Sequence, residues 1–121
     1  MKIGYEGRHV VVTGGTGELG AAVVAELLEA GAMVHAACRS AAKPGPLASL
    51  RRAELRLVDG IDLKDEQAVR RFYEALPGLW ASIHSAGGFA MSRIEETSME
   101  DFRKMMETNA ASCFEIGRAH V

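Results

Sequence analysis

Cysteine is scarce in this chain: two of 121 residues, Cys38 and Cys113. One pair cannot staple a small scaffold, so a disulfide-built secreted fold is excluded and a reducing cytoplasmic setting is expected. Proline is sparse, with three residues, and aromatic residues make up only 6%. An excess of one charge sign is missing as well: 14 Lys and Arg face 16 Asp and Glu, a formal net charge of −2. That balance provides no basic surface for nucleic acid and no polybasic patch for a membrane. No apolar run approaches the ~20 residues of a bilayer span, and the opening MKIGYEGRHVVV lacks the apolar core and cleavage site of a signal peptide. His9, His35, His84 and His120 show no metal-ligand spacing, so no metal site is expected.

What is present is ordinary for one globular domain: 48% hydrophobic and 25% charged residues, with glycine enriched to 13 residues. His9–Thr13 is a β-branched apolar run that stops at glycines, which predicts a buried parallel strand. Glu18–Ala30 places Leu19, Val23, Leu27 and Ala30 on one helical face, and Gly31 supplies a stop. Met33–Cys38 reads as a second strand. Ala41–Leu50, with Pro44 and Pro46, reads as a loop with a weak helix after it. Glu54–Val58 is a third strand, Asp65–Leu76 a helix with Val69, Phe72, Tyr73 and Leu76 inward, and Trp80–His84 a fourth strand. Thr97–Phe114 is a long helix with Thr97 and Ser98 as cap candidates and Glu100 and Asp101 in its first turn. The alternation predicts an α/β fold, a Rossmann-like doubly wound parallel sheet built by right-handed crossovers.

The first chemistry lies in Thr13-Gly14-Gly15-Thr16-Gly17-Glu18-Leu19-Gly20, between the first strand and the first helix. A dinucleotide pyrophosphate binds at this place in an open α/β sheet. Gly14 suits a tight turn, Gly17 a close approach of backbone to phosphate, and Gly20 close packing of the helix on the sheet. The helix N-terminus then offers its free N–H groups to the anion.

TGGTGELG resembles the cofactor loop of the short-chain dehydrogenase/reductase family, and three later segments agree in order and spacing. Asp62-Leu63 is similar to the family's Asp-hydrophobic pair that meets adenine. Ser85-Ala86-Gly87 resembles its Asn-Ala-Gly motif with Ser in place of Asn. Asn109 matches its helix asparagine, for which the resemblance implies a role in stabilising a local helix distortion and holding a water in a proton relay. The resemblance covers about residues 8–114 and favours the compact branch. The Gly14/Gly17/Gly20 spacing and His84 also suit the extended branch of sugar-nucleotide epimerases and dehydratases. Glu18 departs from the family, which prefers Gly or Ala there.

The resemblance implies an NAD(P)-dependent oxidoreductase acting on a small-molecule alcohol/carbonyl pair, homo-dimeric or homo-tetrameric at full length. A non-catalytic dinucleotide-binding sensor is the alternative from another class. Cys38 occupies the strand-end position where an acid would select NAD, and Arg39 follows it, so the cofactor expectation leans to NADP over NAD. Asp59 is the competing acid. Cys38 and Cys113 are expected as small buried hydrophobes, and Met99, Phe102, Met105 and Met106 as core or subunit contact. The family's catalytic Ser and Tyr-x-x-x-Lys have no counterpart: His9 stands four residues after Tyr5, and Pro77 four after Tyr73. The chain therefore reads as an incomplete NAD(P)-binding domain, truncated after the fourth strand and fourth helix and catalytically silent. Ile116–Val121 breaks the helix pattern, and 115–121 is expected to be a non-native tail.

Overall fold

The computed structural model describes residues 4–50 and 52–119. Four strands form one parallel sheet: β1 (His9–Thr13), β2 (Met33–Ala37), β3 (Leu55–Val58) and β4 (Ala81–His84), in the order β3-β2-β1-β4. The order reverses at β1, because β2 and β3 lie to one side of it and β4 to the other. Such a reversal opens a crevice at the carboxyl ends of the strands. Register carries the pattern across the sheet, with Val11 opposite His35 and Ser82, and Thr13 opposite Ala37 and His84.

The two faces are covered separately, as period-two alternation requires. Val10, Val12, Val34 and Ala36 face α1 (Glu18–Glu29) and the short 3₁₀ turn Gly45–Leu50, whose Leu47 is fully buried. Val11 and Ala37 face α2 (Glu66–Glu74), through Val69, Phe72 and Tyr73, together with Ile116 of the last helix. Asp65 caps α2, accepting from the amides of Gln67 and Ala68 at 3.0 and 3.2 Å.

The buried face of α1 is Gly20, Ala21, Val24, Leu27 and Leu28, one step round from the expected stripe, and Leu19 is left 71% exposed. The reason is local. A Cβ at Gly20 would run into the carbonyl of Gly14, so the glycine face must turn inward. Gly20 thus serves contact between the helix and its own loop rather than contact with the sheet.

The long helix is a composite: α3 (Met99–Met106), one π-helical turn (Glu107–Ala111) and α4 (Ser112–Ala119). Ser98 caps it in a reciprocal box with Asp101, whose carboxyl is held below its usual range by hydrogen bonds from the Ser98 hydroxyl and amide. Thr97 is not the cap; its hydroxyl donates to the Arg93 carbonyl at 2.8 Å.

Three expectations change here. The helix does not break after Phe114: Ile116 is 1% exposed against α2, and Arg118 bridges Glu66 at 3.2 Å and Glu115 at 3.6 Å. Of the expected tail, His120 and Val121 lie outside the described residues. Cys113 is exposed rather than buried, since it sits on the helix side away from α2. Met99, Phe102 and Met106 are also exposed, which removes the core reading for that stripe. Among the described residues, no helix is long and apolar enough to cross a membrane.

Candidate functional site

At the carboxyl ends of the strands lies a cleft of about 400 Å³, to which every strand end contributes. β1 leads into Gly14, Thr16 and Gly17; β2 ends in Ala37, Cys38 and Arg39; the turn after β3 brings Ile61, Asp62, Leu63 and Lys64; β4 leads into Ser85, Ala86 and Gly87. The long helix supplies Lys104, Thr108 and Ser112 from the remaining side.

The glycine loop is shaped for this position. Gly14 has φ +70°, and a Cβ there would come within 2.5 Å of the Ala86 amide nitrogen. The loop and the chain after β4 are therefore packed backbone to backbone. The Ser85 amide and hydroxyl both donate to the Thr13 carbonyl, at 3.2 and 2.6 Å, tying the two strand ends together. Gly17 is different. Its amide donates to the Gly14 carbonyl at 3.1 Å, and a Cβ there would touch only that carbonyl, at 3.4 Å. Its missing side chain leaves room in the cleft rather than relieving a clash inside the protein.

Gly17 is also the N-cap of α1, and no side chain caps that helix end. The first amides of a helix have no intrahelical acceptor, so an uncapped end beside a cleft is a place for an anion. Glu18 and Leu19 are exposed and line no part of the cleft, and neither do Gly15 and Gly20. Gly15 is buried, its Cβ position packed against Ala36, Leu47 and Val24.

The β2 end carries no carboxylate. Cys38 is buried, and its thiol donates to the Val58 carbonyl at 3.3 Å. Burial, and then the nearby Asp59 charge, push that thiol above its ordinary pKa, so it stays neutral. Asp59 is engaged elsewhere: its carboxylate accepts from the Ala41 amide at 2.6 Å and shapes the turn after Arg39. Arg39 is exposed on the cleft wall. Asp62 accepts from the Lys64 amide at 2.9 Å.

Asn109 stands behind the cleft rather than in it. Its Oδ1 accepts from the Gly88 amide at 3.0 Å, and its Nδ2 donates to the Gly88 carbonyl at 3.0 Å and the Met105 carbonyl at 2.9 Å. A π turn leaves a helix carbonyl without its usual partner; the Asn109 amide takes that of Met105 and clamps the chain that follows Gly87. The helix distortion is therefore present at Asn109, inside Glu107–Ala111.

His84 lies at the end of β4 in a side-chain chain that avoids the cleft. Tyr73 Oη meets Ser82 Oγ at 2.7 Å, Ser82 Oγ meets His84 Nε2 at 2.9 Å, and His84 Nδ1 meets Cys113 Sγ at 3.6 Å. Burial raises the Tyr73 phenol above its ordinary pKa, keeping it neutral in its place under the sheet.

Lys64, Lys104, Thr108 and Ser112 were not read from the sequence as site residues. The last three share a four-residue spacing, the one signal that sets them on a common helical stripe. A neighbouring open groove shares Asp62 and Lys64 with the cleft and adds Asp65, Glu107 and Glu115, so four carboxylates against one cation make it disfavour a polyanion, in contrast to the cleft. Among the described residues, no cluster of His, Cys, Asp and Glu is arranged to hold a metal.

The family model described as short chain dehydrogenase matches residues 8–121. No curated protein matches. Among solved structures, a short-chain type dehydrogenase/reductase from Mycobacterium ulcerans is 25% identical, with TM-score 0.86, over 98% of this chain and 46% of its own. A dehydrogenase/reductase from Sinorhizobium meliloti is 31% identical, with TM-score 0.84, over 98% of this chain and 50% of its own. A short chain dehydrogenase from Leptospira borgpetersenii with bound NAD⁺ shares the fold at 17% identity, with TM-score 0.85, over 97% of this chain and 46% of its own. Other structures of this fold hold NADPH or NADP⁺. The chain spans about half the length of the solved structures it matches.

Proposed function

Because the chain belongs to the short-chain dehydrogenase family, we propose that its cleft binds a nicotinamide dinucleotide, NADP in preference to NAD, for oxidation or reduction of an alcohol/carbonyl pair by the full-length protein. The observation that carries the reading is the uncapped N-terminus of α1 beside Gly17, whose missing side chain leaves the cleft open at the helix end. The residues present fit the group: a pyrophosphate needs backbone amides and no carboxylate at close range, and Glu18 stays outside the cleft.

When bound, the dinucleotide supplies or accepts the hydride. The chain's own residues do the rest. Gly14, Thr16 and Gly17 present backbone to the pyrophosphate. Asp62 and Leu63 border the adenine. Arg39, with a neutral thiol beside it instead of an acid, suits a ribose 2′-phosphate. Asn109 holds the Gly87–Gly88 chain in place behind the nicotinamide end.

A binding role without turnover is the second reading for the chain in hand. Tyr73 is buried on α2, 7% exposed, and bonded to Ser82, and no lysine follows it at four residues. The test is titration of NADPH and NADH into the 121-residue chain by nicotinamide fluorescence, followed by an assay of NADPH consumption with ketones and aldehydes. The proposal expects binding, tighter for NADPH, and no turnover. Absence of binding to either nucleotide would refute it.

A further inference from the structure

The glycine loop rests on backbone at two places. Gly14 lies against Ser85 and Ala86, and Thr16 lies against Gly45, the first residue of the 3₁₀ turn after β2. Gly45 has φ +58°, and a Cβ there would overlap the Thr16 carbonyl oxygen; its three nearest atoms would all be Thr16 backbone. Gly7 and Gly60 also have positive φ, +69° and +73°, but a Cβ on either would meet nothing within 4 Å. The unusual φ is common to these glycines. Contact with Thr16, which lines the cleft, is particular to Gly45.

The turn is held more firmly than the loop. Pro44 and Pro46, two of the chain's three prolines, flank Gly45 with fixed φ. The Leu47 amide donates to the Pro44 carbonyl at 3.2 Å, and the Leu47 side chain is fully buried, its Cδ1 3.5 Å from the Cβ position of Gly15. Upstream, the Ala41 amide is bonded to Asp59. Thr16, by contrast, borders the open cleft, and Gly17 after it is exposed. A side chain at position 45 would therefore displace Thr16 rather than the turn. The Thr16 carbonyl and the Gly17 amide belong to one planar peptide, so the oxygen cannot move without the nitrogen. That nitrogen donates to the Gly14 carbonyl at 3.1 Å and leads into the uncapped end of α1.

We propose that Gly45 is a positioning residue for the dinucleotide. By presenting no side chain to the Thr16 carbonyl, it sets the Thr16–Gly17 peptide in the orientation that receives the pyrophosphate at the start of α1. The proposal rests on the dinucleotide reading given above. The pyrophosphate is common to NADP(H) and NAD(H), so Gly45 acts on affinity for both and not on the choice between them.

The experiment compares the unsubstituted 121-residue chain with Gly45→Ala, Gly45→Asn and Gly7→Ala. It reads the backbone amide resonances of the free chains, their melting, and fluorescence titrations of NADPH and NADH. Asn enters the positive-φ region more readily than Ala, so Gly45→Asn keeps the overlap with Thr16 at a smaller conformational cost. Gly7→Ala carries the conformational cost without the overlap. We expect both Gly45 variants to fold, to shift the Gly17 amide resonance, and to weaken NADPH and NADH alike, about tenfold, the scale of one charge-assisted contact. Gly7→Ala should melt roughly 5 °C lower yet bind both nucleotides within about twofold of the unsubstituted chain. Unchanged affinity in a folded Gly45 variant would overturn the proposal, as would an equal loss in Gly7→Ala or a loss confined to NADPH. Failure of both Gly45 variants to fold would also overturn it, since Gly45 would then hold the fold rather than the loop. Those results leave the dinucleotide reading intact so long as the unsubstituted chain binds; if it binds neither nucleotide, the reading and the proposal fall together.

Discussion

Gly14 and Gly17 stand three residues apart in one loop, and the structure assigns them opposite sensitivities. At Gly14, φ is +70°, a region that costs a residue with a side chain about 1–2 kcal/mol. A Cβ there would also meet the backbone of Ser85 and Ala86 at 2.5–2.7 Å, and backbone cannot rotate away as a side chain can. Gly14→Ala should therefore cost more than the conformational penalty alone, about 3 kcal/mol in all, a drop in melting temperature of roughly 10 °C for a domain of this size. At Gly17, φ is −88° and the nearest atom is the Gly14 carbonyl at 3.4 Å. Gly17→Val should leave stability within about 1 kcal/mol, since the restricted unfolded chain offsets the β-branched penalty. Its methyl groups would project into the cleft where a phosphate must approach, so NADPH affinity should fall by at least about tenfold, the loss of ~1.4 kcal/mol. Thermal melts by circular dichroism and NADPH titration of both variants separate the two effects. Wild-type melting in Gly14→Ala, or wild-type affinity in a folded Gly17→Val, would refute this account of the loop.

Further outcomes are expected elsewhere. Arg39→Ala should weaken NADPH by one to two orders of magnitude, about 1.5–3 kcal/mol, and leave NADH within about twofold in the same titration. Glu18→Ala should leave nucleotide affinity equal or better, because Glu18 lies outside the cleft, and should cost about 0.3–1 kcal/mol of stability through the α1 dipole, read by chemical denaturation. His35 is buried, its Nε2 is 2.8 Å from His9 Nδ1, and burial, then the charges of His9 and Arg56, hold its pKa below 6.5. The unfolded chain then binds the extra proton, so stability should be fully present above pH 6.5 and decline as pH falls below it; a flat profile in denaturant melts would contradict this. Asn109→Ala should strip the Gly88 amide of its acceptor and speed its hydrogen exchange, with about 1 kcal/mol lost, while amides in β1 exchange as before.

The strand–helix alternation was legible because β1 is a β-branched apolar run that stops at glycines and the later strands are short runs set between a helix stop or loop and the next turn, a signal that survives without tertiary knowledge. The strand ends that surround the cleft follow from that alternation, so Gly14, Arg39, Asp62 and Ser85 could be placed together from their positions alone. The inward face of α1 was not legible. Leu19, Val23 and Leu27 form as good a stripe as Gly20, Val24 and Leu28, and only the contact of Gly20 with the Gly14 carbonyl decides between them. Periodicity also could not place Cys113 or continue the helix past Phe114. The π turn at Glu107–Ala111 shifts the phase of every later residue, so Ile116 turns inward toward α2 while Cys113 faces away. Lys64 and Lys104 escaped notice because a single lysine carries no motif; their shared position in the cleft comes from the long helix packing beside the turn after β3, which the sequence does not align.

The central claim is that the cleft between the glycine loop and the long helix takes the dinucleotide. Titrating NADPH into the isotope-labelled 121-residue chain and following backbone amide resonances tests it most directly. The account predicts shifts concentrated at Gly14, Gly17, Glu18, Arg39, Leu63 and Ser85–Gly87, with the N-terminal strand ends around His9 and Met33 unmoved. Saturable binding whose shifts cluster instead in the acidic groove of Asp65, Glu107 and Glu115, or no saturable shifts at all, would contradict it.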